Sequence, residues 1–237
     1  MTNRMKRGSR IGSTGRMKAG LRVLAVVLLV AGSLWGCAGA KPALLVDHYS
    51  LEYDPPAFEG TTPLDEVLKL DRYSATEALR GPLMISRLEP YVYYADPYHR
   101  WRVNPADLAT DFLARDLRSA GLFKAVFTWR DPVDARFVLK GAVEEFSETG
   151  GTDGRRSLLV LRMTLMDMSK SDVQNRVVYQ KKYESSLPVE GRSAGGLAAS
   201  MSRAMALLSR QIIEDASAAV RRNSGAGMPK DKMPSGK

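Results

Sequence analysis

One cysteine, Cys37, is all the thiol chemistry in this sequence. An internal disulfide is therefore excluded, and so is a zinc site built on several thiolates. Histidine is nearly as scarce. His48 and His99 are the only two, one short of an all-histidine zinc site, so no metal is expected. The phosphate-cradling patterns GxGxxG and GxxxxGK[ST] do not occur, nor does the zinc-protease pattern HExxH. No cofactor is implied, and no nucleophile, base and orienting group assemble from the sequence into an enzyme. No solenoid-length repeat is found. A long apolar run is missing as well. The uncharged stretch between Arg22 and Cys37 holds 14 residues, whereas a membrane-spanning helix needs roughly 20.

Before that stretch lie Arg4, Lys6, Arg7, Arg10, Arg16, Lys18 and Arg22, with no acid among them. A basic lead and a short apolar run are the pattern of a secretory leader. The run stops at Leu34, Trp35, Gly36 and Cys37, which resembles the bacterial lipobox. The small Gly36 lets a signal peptidase approach the bond before Cys37, and the thiol accepts a diacylglyceryl group. Trp35 departs from the small or β-branched residue usual at its place. The expectation is a signal peptide over 1–36, a Cys37 carrying fatty chains such as palmitate, and a short tether over 37–47. Ala38 stands where an Asp would suggest retention at the inner membrane. By resemblance to enterobacterial sorting, the periplasmic face of the outer membrane is the expected location.

The net charge of +9 from 35 basic and 26 acidic residues is misleading. Seven of the basic residues sit in the leader, and the remaining 28 nearly balance the acids. No nucleic-acid footprint is left to explain. About 200 residues remain, enough for one domain with a real core.

The order of elements follows from periodicity and turn signals. "HYSLEYDPP" reads as a first strand with Tyr49, Leu51 and Tyr53 on one face, stopped by Pro55-Pro56. Residues 57–80 read as a loop or insertion with a short helical turn. Residues 82–103 read as a hairpin, with turn signals at Glu89-Pro90 and Asp96-Pro97. Asn104 as N-cap, Pro105 at the first helical position, apolar residues at helical spacing and Gly121 as stop define an amphipathic helix. Lys124–Trp129 is a strand. Ala135–Thr149, Arg155–Ser169 and Arg176–Val189 form an antiparallel meander joined by short polar loops. In the middle strand Leu159, Leu161, Met163 and Leu165 should face the helices. A last helix runs from Ser193 to about Arg222 on a stripe of Leu197, Met201, Met205, Leu208, Ile212 and Ala216. The Gly/Pro/Lys tail over 223–237 reads as disordered. The fold class is α+β: a mostly antiparallel sheet with two amphipathic helices packed on one face, spanning 48–222.

On these residues the chain resembles the ABC-type transport auxiliary lipoprotein family, the PqiC-like partners of Mce-type lipid transporters. The resemblance runs from about His48 to Val220. It rests on "HYSLEYDPP", on "RWRVNPADLATDFLARDLRSAGLFKAV" and on "ARFVLKGAVEEF". The segment between Pro56 and Gly81 and the tail are less similar. The resemblance implies an accessory role without ATP hydrolysis, held to the membrane by its lipid and docked on an Mce-domain protein. The alternative is another outer-membrane assembly lipoprotein, a secretion-pore subunit or a cell-wall synthase activator.

Candidate interface residues are Tyr91, Tyr93 and Tyr94, with the pair Arg100 and Trp101, since aromatic and guanidinium groups suit a partner or membrane surface. Ordinary half-buried strand aromatics, and a core position for Trp101, are the competing readings. Glu144, Glu145 and Glu148 read as a solvated strand edge. Met163, Met166 and Met168 read as core packing.

Overall fold

The computed structural model describes residues 45–150 and 154–225. The expected leader, the lipobox Leu34, Trp35 and Gly36, the acylation site Cys37, most of the tether, and the tail beyond 225 lie outside the described residues.

Nine strands are described: β1 (Asp47–Tyr49), β2 (Leu64–Leu70), β3 (Ser74–Ala75), β4 (Leu83–Glu89), β5 (Val92–Trp101), β6 (Phe123–Thr128), β7 (Phe137–Thr149), β8 (Arg156–Asp167) and β9 (Val177–Pro188). Helix α1 (Pro105–Ala120) follows β5, a single turn α2 (Val173–Arg176) precedes β9, and α3 (Ala194–Gly225) closes the chain. The last helix runs past Arg222 into the start of the expected tail. A 3-10 turn occupies Glu77–Leu79.

β7 is the spine of the sheet. Along one edge it pairs in turn with β2 near its start, β3 at its middle and β4 at its end. Along the other edge it pairs with β8, and β8 with β9. β6 extends the sheet beyond β2, and β5 then β1 extend it beyond β4. The α+β class is as expected, but the sheet is mixed. The meander β7–β8–β9 and the hairpin β4–β5 are antiparallel, whereas β1 with β5, β2 with β6 and β7, and β3 and β4 with β7 pair in parallel. The antiparallel expectation came from hairpin loops, which join strands adjacent in sequence. Parallel pairing is made by strands far apart in the chain, and no loop announces it.

Alternation explains the core. Leu159, Leu161, Met163 and Leu165 of β8 are all fully buried, as their period of two requires. They lie opposite Phe146, Val143, Gly141 and Leu139 of β7. A bulge between Val143 and Glu145 shifts the parity, so Phe146 resumes the inward row. α1 begins as its capping residues dictate: Asn104 Oδ1 accepts from Asp107 N at 2.9 Å, and Gly121 ends the helix at φ 63°. Leu108, Leu113 and Leu117 of α1 and, from the expected stripe of α3, Leu197, Met201, Met205, Leu208 and Ile212 are buried in the same core, and Ala216 is buried as well. Burying each such leucine contributes roughly 1.5–3 kcal/mol.

One polar clamp crosses this core. Asp116 of α1 is fully buried and accepts hydrogen bonds from Tyr53 Oη (2.8 Å), Ser209 Oγ of α3 (2.6 Å) and Arg115 Nε (2.9 Å). Burial, and then the charge of Asp116, push the Tyr53 phenol well above its usual range, so it stays a donor. This clamp explains why "HYSLEYDPP" is a strand only over its first residues. After Tyr49 the chain leaves the sheet, Glu52 N bonds Ser202 Oγ of α3, and Leu51 enters the core.

Candidate functional site

The hairpin of β4 and β5 carries the expected aromatic residues. Glu89 pairs with Val92, leaving Pro90-Tyr91 as a two-residue turn. Proline second and a left-handed residue third is the type II pattern, whose third place favours glycine. Here it holds Tyr91 at φ 66°, the only positive-φ residue other than glycine among the described residues. Tyr91 is 98 % exposed, and Leu88, Val92, Tyr93 and Tyr94 around it are exposed as well. Arg87 lies 5.7 Å from the Tyr93 ring centre and donates to its hydroxyl at 3.3 Å. The tip is held from behind: Gly150 N donates to Arg87 O at 3.0 Å, and a Cβ on Gly150 would stand 2.9 Å from Leu88 Cα.

Arg100 and Trp101 do not join this surface as a pair. Successive strand residues point to opposite faces. Trp101 is 1 % exposed and meets Phe146 edge-on, ring centres 5.0 Å apart at 86°, so it is a core residue and not part of an interface. Arg100 is half-buried, level with His48 of β1 and Leu83 of β4.

Behind the hairpin, a cleft of about 210 Å³ is lined by Tyr49, Asp96, His99, Glu148, Arg155 and Ser193, among others. His99 Nδ1 and Asp96 Oδ2 are 2.8 Å apart. Burial works to raise the Asp96 carboxyl, but hydrogen bonds from His99 and two backbone N–H groups bring it below its usual range. Glu148 is 3 % exposed and paired with Arg155, whose Nη2 donates at 2.6 Å. Among the described residues no cluster of three or more potential ligands could hold a metal, and no helix is long and apolar enough to cross a membrane.

A family model described as the ABC-type transport auxiliary lipoprotein component matches residues 49–213. The chain belongs to this family. A crystal structure of a protein from Xanthomonas campestris superposes with a TM-score of 0.69 at 15% identity, covering 76% of this chain and 99% of that one. A second crystal structure, of an uncharacterized protein, gives a TM-score of 0.53 at 13% identity, covering 68% and 99%. At these identities the two share the fold with this chain. No curated relative matches the sequence. Membership makes this auxiliary lipoprotein an envelope-associated component of an ABC-type transport system.

Two features of the lipoprotein's cleft escaped the sequence. Glu148 is not on a solvated edge, because β7 is flanked by β4 and β8 where it ends. Its partner Arg155 lies across the β7–β8 hairpin. The spacing of a hairpin pair could have suggested it. Second, Gly191-Arg192-Ser193-Ala194-Gly195 spells GxSxG, and Ser193 shares the cleft with His99 and Asp96. The geometry is that of a helix cap rather than a nucleophile elbow: Ser193 has an ordinary backbone, its Oγ accepts from Gly196 N at 3.1 Å, and its carbonyl accepts from Leu197 N. Of the methionines, Met163 is buried as expected, whereas Met168 is partly exposed.

Proposed function

We propose that this auxiliary lipoprotein is an acylated, non-catalytic docking component of an Mce-type ABC lipid transport system. In this reading its fatty chains are fixed to Cys37 and lie in the periplasmic leaflet of the outer membrane. The match of residues 49–213 to the transport auxiliary family carries the reading. The uncharged run ending at the lone cysteine supports the anchor.

The mechanism has two parts. Each buried CH₂ of an acyl chain adds about 0.8 kcal/mol, so that two or three chains hold the domain at the bilayer for long times. The tethered domain then meets a partner at high effective concentration, and a modest interface suffices for assembly.

Purification of the lipidated chain from detergent-solubilised envelopes tests this. The Mce-domain protein and its ABC transporter are expected to copurify. Copurification with a secretion pore or a cell-wall synthase in their place would contradict the transport reading.

A further inference from the structure

We infer that the tip of the β4–β5 hairpin is a second membrane contact, seated in the headgroup region of the same leaflet that holds the lipid anchor. The inference rests on the reading of Cys37 as acylated. Strand direction carries it. β1 runs parallel to β5, with Asp47 opposite His99 and Tyr49 opposite Trp101. Going backward along β1 from Tyr49 to Asp47 is therefore going toward Val92 and the hairpin turn. From Leu45 onward, the first described residue, the chain thus enters from the end of the sheet where Leu88, Tyr91, Val92, Tyr93 and Tyr94 are exposed. Leu45, two residues before β1, is itself exposed.

Length makes the coincidence consequential. Seven residues of β5 separate the level of Asp47 from Val92, about 23 Å at roughly 3.3 Å per residue. Ten chain steps separate Cys37 from Asp47; fully extended they reach at most about 35 Å, more than the distance from that level to the tip. A bilayer that holds the acyl chains on that side of the sheet meets the hairpin turn before any other part of β5.

The chemistry of the tip fits a headgroup layer. Tyrosine presents an apolar ring and a polar end, and it concentrates at membrane–water interfaces. Arg87, stacked beside Tyr93, supplies a cation at phosphate depth. The turn also keeps a tyrosine where glycine would sit without strain, and the Tyr91 ring makes no use of the protein's own core.

The test uses the acylated protein, in which Cys37 is blocked and an introduced cysteine is the sole free thiol. Tyr91→Cys and, at the opposite end of the sheet, Val177→Cys are labelled with an environment-sensitive fluorophore. They are then reconstituted in vesicles of phosphatidylethanolamine and phosphatidylglycerol containing a shallow nitroxide lipid quencher. The label at 91 is expected to shift to the blue and to be quenched, and the label at 177 to do neither. Vesicle-bound protein whose label at 91 stays in water overturns the membrane contact and leaves the tip to a protein partner, while the anchor stands. Protein that fails to float with the vesicles overturns the anchor and this inference together.

Discussion

At the scale of single residues, the molecule separates what the fold needs from what it tolerates. Tyr91 costs the fold something, since a left-handed backbone at a residue with a Cβ is unfavourable by about 1–2 kcal/mol. Tyr91→Gly is expected to stabilise the domain by about 1 kcal/mol, raising the thermal midpoint by roughly 2–4 °C, and to weaken membrane contact at the tip. An unchanged or lowered midpoint in calorimetry would show that the tyrosine ring has a structural role. Asp167 is the opposite case. It is buried, which works to raise its carboxyl, but hydrogen bonds from Arg136 and Ser169 outweigh burial and hold it at about 2 against an ordinary 3.8. A carboxyl with a depressed folded-state value stabilises above its unfolded value. Its contribution of about 2 kcal/mol is therefore complete above pH 3.8 and lost as the pH falls toward 2. Denaturant titrations across that window are expected to show a shallower acid dependence for Asp167→Asn than for the natural chain. Parallel curves would remove Asp167 from the acid response.

Elements differ in how plainly they were written in the sequence. α1, with Asn104, Pro105 and Gly121 in their capping roles, and the meander β7–β8–β9 were legible, because caps and alternation are local signals. β2 was not. In "LDEVLKL" the apolar residues Leu64, Val67, Leu68 and Leu70 fall at spacings that suit a helix as well as a strand, and a bulge between Leu64 and Val67 breaks the alternation. Only its place between β6 and β7, both distant in the chain, makes it a strand with Leu68 and Leu70 wholly buried. The exposure of the hairpin tyrosines was legible in the same sense. The tyrosines stand beside a turn that local residues announce, whereas the burial of Trp101 depends on Phe146 from a strand far along the chain. The fit between elements is equally non-local at Gly141, where a Cβ would collide with the buried Tyr73 ring. Gly141→Ala is expected to destabilise the domain by about 1–3 kcal/mol, measured by urea unfolding. A neutral effect would mean that Tyr73 can move aside at no cost.

At the scale of the whole molecule, the described residues form an α+β fold with one distinctive end. There the hairpin tip meets Gly150 just after β7, and β1 enters the sheet from the same side. In the proposed reading, acylation acts at Cys37 and leaves the folding of the domain unchanged. Cys37→Ser is expected to keep the unfolding midpoint of the domain while moving the protein from the membrane fraction to the soluble one on fractionation of cells. Retention of that variant in the outer membrane would show that something other than acyl chains holds it. The most direct measurement is mass spectrometry of the mature protein taken from its native envelope. The expected result is a chain that begins at Cys37 and carries a diacylglyceryl group on its sulfur. A mature chain that keeps residues 1–36, or one whose Cys37 bears an unmodified thiol, would contradict it.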